Sequence, residues 1–108
     1  MGKFFKTIIM GLVLILLVAC AKEENRLYTI GIVQITQDPL LDEARKGVID
    51  ALEEKGFIEG KNIHIDYKNA QGEMSNIILI LRKFISDKVD MVITNSTPCM
   101  VAAAKTIT

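Results

Sequence analysis

The sequence is poor in the residues that build disulfide frameworks and metal sites, with only two Cys and one His among its 108 residues. Two Cys are too few for a disulfide framework, and no second ligand lies at metal-binding spacing from His64. The glycine motifs that cradle phosphate groups, Gly-x-Gly-x-x-Gly and Gly-x-x-x-x-Gly-Lys-Ser/Thr, are absent. No nucleophile is accompanied by a base. We therefore predict a protein that is not an enzyme and that uses no metal and no cofactor.

An excess of positive charge is also missing, since 13 Lys and Arg residues are balanced by 13 Asp and Glu residues. The sequence has no basic stripe or basic helix of the kind that binding to a phosphate backbone requires. We therefore expect no nucleic-acid partner.

The first twenty residues have the layout of a bacterial export signal. Lys3 and Lys6 give a short basic segment, and residues 8–18 are apolar apart from Gly11. This apolar run is shorter than the roughly 20 residues that a membrane-spanning helix needs, and a polar, charged segment follows it at once. The residues Leu17-Val18-Ala19-Cys20 resemble the lipobox of bacterial lipoproteins, in which the signal is cleaved just before the Cys and the thiol is acylated.

The resemblance to a lipobox implies three segments: a signal peptide at 1–19, the lipidated Cys20 with its tether at 20–27, and a domain at 28–108. Two or more acyl chains provide stable membrane attachment, so the domain is expected on the extracytoplasmic face of the cell membrane. The alternative is an ordinary signal peptide followed by a Cys that occurs there by chance. Cys99, the other Cys, is predicted to be a small buried apolar residue.

Three segments have the composition of β-strands. Residues 28–35 (YTIGIVQI) are apolar and rich in β-branched side chains, which is typical of a parallel strand buried on both faces. Residues 62–68 alternate between apolar and polar side chains, as in a strand near a sheet edge, and His64 lies on the wetter face. Residues 89–94 (VDMVIT) predict a third buried strand.

Three helices are predicted between and after these strands. Asp38-Pro39 provides an N-cap and a first helical residue whose missing N–H costs nothing, and Gly56 ends this helix. Residues 73–87 have apolar side chains at helical spacing. Thr97-Pro98 predicts a third helix that starts as Asp38-Pro39 does. The apolar residues expected to face the core from the first two helices are Leu40, Leu41, Ala44, Val48, Ala51 and Leu52, followed by Met74, Ile77, Ile78, Leu81, Phe84 and Ile85.

The order β-α-β-α-β-α with short links predicts an α/β fold, a three-layer, Rossmann-like parallel sheet built from right-handed crossovers. In open sheets of this kind, ligands bind beyond the carboxyl ends of the strands, where loops meet helix N-termini. The loops in question are 34–39, 69–73 and 95–99. The helix starts at Asp38 and Thr97 are expected to point into one crevice, where their free N–H groups suit a carboxylate or another anion.

Polar side chains in these loops are the candidate ligands. Asn95, Ser96 and Thr97 offer donors and acceptors at the end of the third strand, and Asp38 is suited to pair with an ammonium group. The alternative for all four is helix capping and turn formation alone.

Several short motifs occur in a fixed order behind the lipobox. They are Ile30-Gly31-Ile32-Val33-Gln34, Pro39-Leu40-Leu41-Asp42, Ala44-Arg45-Lys46-Gly47, Glu59-Gly60-Lys61-Asn62, Asp66-Tyr67-Lys68-Asn69-Ala70-Gln71-Gly72-Glu73 and Thr97-Pro98. In this order and spacing they resemble the solute-binding subunits of bacterial ABC importers, in particular the tryptophan/tyrosine-binding branch. The resemblance implies a periplasmic-binding-protein-like (type I) fold, in which two hinged lobes close around a small amino-acid-like solute and deliver it to ABC permease subunits.

The same resemblance assigns a ligand pocket to the loop after the first strand and to the helix start after the third. The corresponding residues are Gln37, Asp38, Asn95, Ser96, Thr97 and Pro98. An aromatic solute also needs a ring to stack on. The aromatic residues after the signal segment are Tyr28, Phe57, Tyr67 and Phe84. None lies at a loop tip on this side, so a stacking partner is expected from outside the chain.

The matched segment corresponds to the first half of lobe 1 of such a protein. Residues 101–105 read as the beginning of a helix, and no strand follows, so we expect a truncated N-terminal portion. Two other hypotheses stay open. A membrane-anchored flavodoxin-like or receiver-like domain would need a phosphate loop at residues 34–38 or a phosphorylatable Asp at 95–99, and neither is present. A lipoprotein with a structural or adhesive role would bind no solute.

Overall fold

The computed structural model describes residues 2–20 and 26–107, except for the side chains of residues 13–20. Its helices and strands follow the predicted alternation. They are α1 (Gly2–Cys20), β1 (Tyr28–Gln34), α2 (Pro39–Glu54), β2 (Ile63–Asn69), α3 (Met74–Ser86), β3 (Met91–Asn95) and α4 (Thr97–Thr106).

Helix α1 contains most of the predicted signal segment. In its first half, the apolar side chains of Phe4, Phe5 and Ile8 are exposed. Within the described residues, no helix combines the length and the hydropathy that crossing a membrane requires. The predicted tether includes residues 21–25, which lie outside the described residues. Cleavage before Cys20 and acylation of its thiol stay predictions.

The chain enters the sheet at the amino end of β1, where polar contacts join it to the segment before β3. Arg26 Nη2 donates to Asp90 Oδ1, and the Arg26 guanidinium lies 5.6 Å from the centre of the Tyr28 ring. Asp90 Oδ2 accepts from Thr29 N at 2.9 Å, and Asp90 N donates to Thr29 O at 2.8 Å. The amino ends of the central strand and of β3 are therefore held together.

The three strands form a parallel sheet in the order β2-β1-β3. β1 is buried from Ile30 to Gln34 because it has a strand on each side and helices on both faces. β2 lies at an edge, as its alternating pattern predicts. The prediction that the third strand is buried is wrong: Met91 is exposed and the other four residues of β3 are half-buried. In the described part of the chain, β3 pairs with β1 alone.

Helices cover the two faces of the sheet, which confirms the three-layer arrangement. On one face, Val33 of β1 belongs to a core cluster with residues of α3 and α4. On the other face, Ile30 and Ile32 pack with Ile63 of β2 and with the half-buried Leu52 of α2. Alternate residues of β1 therefore point to different helices.

The predicted apolar face of α2 is partly wrong. Three of its six members are exposed, namely Leu40, Ala44 and Ala51. The half-buried stripe begins at Leu41 and includes Arg45 and Ile49, which the prediction omitted. Arg45 is charged, so a pattern of apolar residues does not count it, although its side chain contacts the buried end of β1. The predicted end of this helix is confirmed, since Gly56 follows the C-cap residue with φ of +89°.

Helix α3 buries a narrower stripe than the sequence predicts. Ile77, Leu81 and Phe84 are fully buried, at the i, i+4, i+7 spacing of one helix face. The other three predicted core residues are exposed, namely Met74, Ile78 and Ile85.

Phe84 of α3 packs directly against the backbone of the central strand at Gly31. A Cβ atom at position 31 would lie 2.8 Å from two carbon atoms of the Phe84 ring, which is well inside van der Waals contact. The ring is fully buried, so it has little room to move. The close approach of α3 to the sheet therefore requires Gly at this position.

We expect Gly31→Ala to lower the free energy of unfolding by about 1–3 kcal/mol, the usual cost of overpacking a core. Gly47→Ala is the matched control, because a Cβ at position 47 in α2 meets no atom within 4 Å. Since Ala is favoured over Gly inside helices by roughly 0.5–1 kcal/mol, the control should be neutral or stabilising. Urea denaturation of both variants measures the difference, and equal stability would contradict the packing account.

Candidate functional site

Three helices begin at the same edge of the sheet. The strands are parallel, and Gln34 of β1 is in register with Asn69 of β2 and with Asn95 of β3, so the strands end level with one another. Helices α2, α3 and α4 follow these three ends in turn. We call this edge, with loops 34–39, 69–73 and 95–99, the rim. The prediction that the helix starts after the first and third strands share one edge is confirmed.

The three helix starts differ in how their N-termini are capped. The predicted N-cap of α2 is confirmed, because Asp38 Oδ1 accepts from Leu40 N at 2.9 Å and from Leu41 N at 3.3 Å. At α3 the N-cap residue Glu73 makes no side-chain cap hydrogen bond. The start of α4 also lacks one. Among the described helix starts on the rim, only that of α2 has a side-chain cap.

The prediction that α4 starts as α2 does is therefore only half right. Thr97-Pro98 opens the helix, but the N-cap residue is Ser96 and Thr97 is already helical. The Ser96 hydroxyl is buried and forms no well-aligned hydrogen bond among the described residues, although it lies close enough to the Cys99 thiol to offset part of the rise that burial causes in the pKa of that thiol. Burying a hydroxyl without a partner costs free energy, so this oxygen is a group at which a ligand atom would be stabilised.

The six predicted ligand residues all lie on the rim. Gln37 and Thr97 are exposed, and the remaining four, Asp38, Asn95, Ser96 and Pro98, are half-buried. Asn95 is committed to contacts within the protein. Its Nδ2 donates to Gln34 Oε1 at 2.8 Å and to Leu41 O at 2.7 Å, which uses both amide hydrogens.

The structure adds one buried polar residue that the predicted site omitted. Gln34 is fully buried at the carboxyl end of β1. Its Nε2 donates to Thr36 O at 2.7 Å and to Asp42 Oδ1 at 3.0 Å. Its Oε1 accepts from Asn95 Nδ2 and, at 3.0 Å, from Arg45 Nη1. The signal that could have identified it is a Gln ending an otherwise apolar strand.

Tyr67 is the aromatic residue beneath this part of the rim, and Arg45 covers its ring. The guanidinium carbon of Arg45 lies 3.9 Å from the ring centre, within the range of a cation–π contact. Arg45 Nη1 also donates to Asp42 Oδ1 at 3.1 Å. This face of Tyr67 is thus already occupied by a protein group.

The remaining titratable residues show no catalytic arrangement in the part of the chain that the structure describes. His64 is exposed on β2, as predicted, and its Nδ1 lies 3.2 Å from Glu59 Oε1. Cys99 is buried, as predicted, and burial raises the pKa of its thiol. No group of three or more His, Cys, Asp or Glu residues that could hold a metal ion occurs among the described residues.

Residues 29–108 match the family model of the ABC transporter substrate-binding protein. The chain belongs to this family. Among curated proteins, it is 50% identical over 74 residues to a tyrosine-binding protein of Clostridioides difficile strain R20291. That alignment covers 68% of this chain and 21% of the relative.

Solved structures agree with the family assignment and with the predicted periplasmic-binding-protein-like fold. A ligand-free, open substrate-binding protein with adhesive properties from Clostridium difficile is 44% identical with a TM-score of 0.72, covering 74% of this chain and 27% of that one. A Streptococcus pneumoniae ABC domain in complex with L-Trp is 27% identical with a TM-score of 0.70, covering 75% and 27%. The chain thus spans about a fifth to a quarter of the length of these relatives.

The contrast between the two caps predicts different effects of two Ala substitutions. Asp38→Ala should lower the free energy of unfolding by about 1 kcal/mol, because two N–H groups of α2 lose their acceptor. Ser96→Ala is the comparison at the N-cap of α4, where no cap bond is lost and a buried unpartnered hydroxyl is removed. We expect no loss of stability there. Thermal unfolding of both variants provides the measurement, and a larger loss for Ser96→Ala would reverse our description of the caps.

Proposed function

We propose that the protein is the solute-binding component of an ABC importer, that it is not an enzyme, and that its solute is an amino acid such as tyrosine or tryptophan, or a similar small molecule. The relatives support this proposal, since one is named a tyrosine-binding protein and another was crystallised with L-Trp. The solute would pass to ABC permease subunits, the partners that the family name implies.

The uncapped start of α4 is the observation that carries the proposal. A helix N-terminus has free N–H groups and a partial positive charge, which favour a carboxylate. At this start no side chain caps the helix, and the buried Ser96 hydroxyl forms no well-aligned hydrogen bond among the described residues, its nearest polar neighbour being the weakly bonding Cys99 thiol. A solute carboxylate at Ser96 and Thr97 would accept hydrogen bonds from the free backbone N–H groups of the helix start and from the Ser96 hydroxyl.

The ammonium group of the solute would lie toward the start of α2. Asp38 is the carboxylate at that position. Its Oδ1 already accepts two backbone N–H groups, and a carboxylate is a favourable partner for an ammonium group. Gln37 and Pro98 would border the solute on the two sides. Asn95 would contact it only through Oδ1, because both hydrogens of Nδ2 are used within the protein.

The solute side chain needs contacts that this part of the protein does not offer. The ring of Tyr67 in β2 is covered by Arg45, and loops 34–39, 69–73 and 95–99 contain no aromatic residue. We propose that a second lobe, of the kind the family resemblance implies, supplies the ring contacts on closure. The rim alone would then bind solute only weakly, since it covers the polar end of an amino acid and leaves the ring in water.

Membrane attachment completes the proposal. Residues 1–19 would be removed as a signal peptide, and Cys20 would carry acyl chains on the extracytoplasmic face of the cell membrane. The tether at 20–27 would connect the lipid to β1. The sequence Leu17-Val18-Ala19-Cys20 is what supports this part.

The solute proposal is tested with a chain extended to the length of the relatives. Tyrosine or tryptophan at 100 times the dissociation constant should stabilise that chain by about 2.7 kcal/mol, seen as a rise in melting temperature. The 108-residue chain should show no comparable shift, because its rim contacts only the polar end of the solute. An extended chain that responds to no amino acid in a panel of twenty would rule out the amino-acid assignment, and full-strength calorimetric binding by the short chain would refute the need for a second lobe.

Lipidation is tested separately with labelled palmitate in a bacterial host. Cys20→Ala should abolish incorporation of the label and leave an unprocessed precursor, because the thiol is the group that is acylated. Cys99→Ala is the control, since Cys99 is fully buried in the folded domain and should leave labelling unchanged. Label retained in Cys20→Ala would disprove the lipobox interpretation.

A further inference from the structure

The side chains of Gln34 and Asn95 form a bridge of two amides across the end of the sheet, which we call the amide bridge. Its donors and acceptors can be arranged in only one way. Arg45 has only donors and an ionised Asp42 only acceptors, so Gln34 must turn its oxygen to Arg45 and its nitrogen to Asp42. Asn95 must then turn its nitrogen to Gln34 Oε1. The bridge has no alternative hydrogen-bonded arrangement of similar energy.

The amide bridge connects the starts of the two helices that enclose the proposed site. Asn95 immediately precedes Ser96, the N-cap of α4, and Leu41, whose carbonyl accepts from Asn95 Nδ2 at 2.7 Å, lies in the first turn of α2. Gln34 forms the second connection, because it bonds to Asn95 and to Asp42 of α2. A displacement of either helix start would break hydrogen bonds of buried or half-buried groups.

We propose that Gln34 and Asn95 are positioning residues, whose amide bridge holds the starts of α2 and α4 at a fixed separation before any solute arrives. Gln34 itself is fully buried and acts on the rim through Asn95 and Asp42. For binding, this inference rests on the proposed function: a site with its groups already in place loses less free energy to ordering when the solute binds.

Residue-resolved hydrogen exchange of the full 108-residue chain in mild detergent tests the bridge without any solute. The reporters are two backbone amides, Asp42 N in α2, which bonds to Asp38 O at 2.8 Å, and Met100 N in α4, which bonds to Ser96 O at 3.1 Å. In Asn95→Ala, exchange at both amides should accelerate by about tenfold or more relative to Leu81 in α3, because local opening no longer breaks the bridge.

Asn76→Ala is the matched control. Asn76 Nδ2 also donates to a backbone carbonyl, Ala70 O at 3.1 Å, and Asn76 is also half-buried, but it takes no part in the bridge. This variant should leave the ratio of exchange at Asp42 and Met100 to that at Leu81 unchanged. If Asn95 only stabilised the fold as a whole, Asn95→Ala would accelerate hydrogen exchange at all three amides by one common factor.

A pair of reciprocal substitutions provides a rescue experiment. Gln34→Glu places a carboxylate against Asp42 Oδ1 and should accelerate exchange at both reporters. Adding Asp42→Asn places an amide donor opposite the new carboxylate, which stays beside Arg45. The bonds to Thr36 O and from Arg45 to residue 42 are not restored, so the protection should recover in part. Uniform acceleration in Asn95→Ala, acceleration at only one helix start, or no recovery in the double variant would overturn the proposal. Since none of these readouts uses a solute, a failure of the solute assignment would leave them unaffected.

Discussion

A buried amide at the end of the central strand sets the main constraint on this structure. Burying a polar group without hydrogen bonds costs several kcal/mol, so a fully buried Gln34 requires partners at defined positions on every side. Those partners come from β3, from α2 and from the loop between β1 and α2. Helix α2 has no fully buried residue of its own. Its first turns are thus held to the sheet largely by polar contacts, whereas α3 is held by Ile77, Leu81 and Phe84 in the core.

Much of the fold could be predicted because its signals are local. The β-branched run at 28–35, the cap and proline at Asp38-Pro39 and the alternation at 62–68 each reflect the chain's own preferences, and all three elements lie within a residue or two of their predicted bounds. The burial of β3 could not be predicted in this way. It depends on whether another strand lies beside it, which the composition of residues 89–94 does not encode.

The position of the candidate site on the rim could be predicted from the sequence, but the contacts of its residues could not. Because the strands are parallel, Asp38 and Thr97 lie at the same edge of the sheet, whatever their side chains contact. Whether Asn95 faces a ligand or the protein depends on Gln34 and Leu41, which are 61 and 54 positions away. The place of Arg45 on the sheet-facing stripe of α2 could not be predicted for a related reason. Its stacking on Tyr67, a contact distant in the sequence, is what allows a charged residue at that place. Likewise, Ser96 rather than Thr97 is the N-cap of α4, a one-residue difference at a helix boundary that sequence signals seldom resolve.

The contacts of Arg26 and Asp90 have a mechanical consequence. They lie where the chain enters β1, and the rim lies at the other end of that strand, about 20 Å away for the six steps of roughly 3.3 Å between its seven residues. A force applied to the N-terminal segment would act along the axis of β1, so its hydrogen bonds to both neighbouring strands would be loaded together in shear rather than opened one at a time. Tension on the N-terminus would then disturb the rim only after the sheet itself had begun to fail.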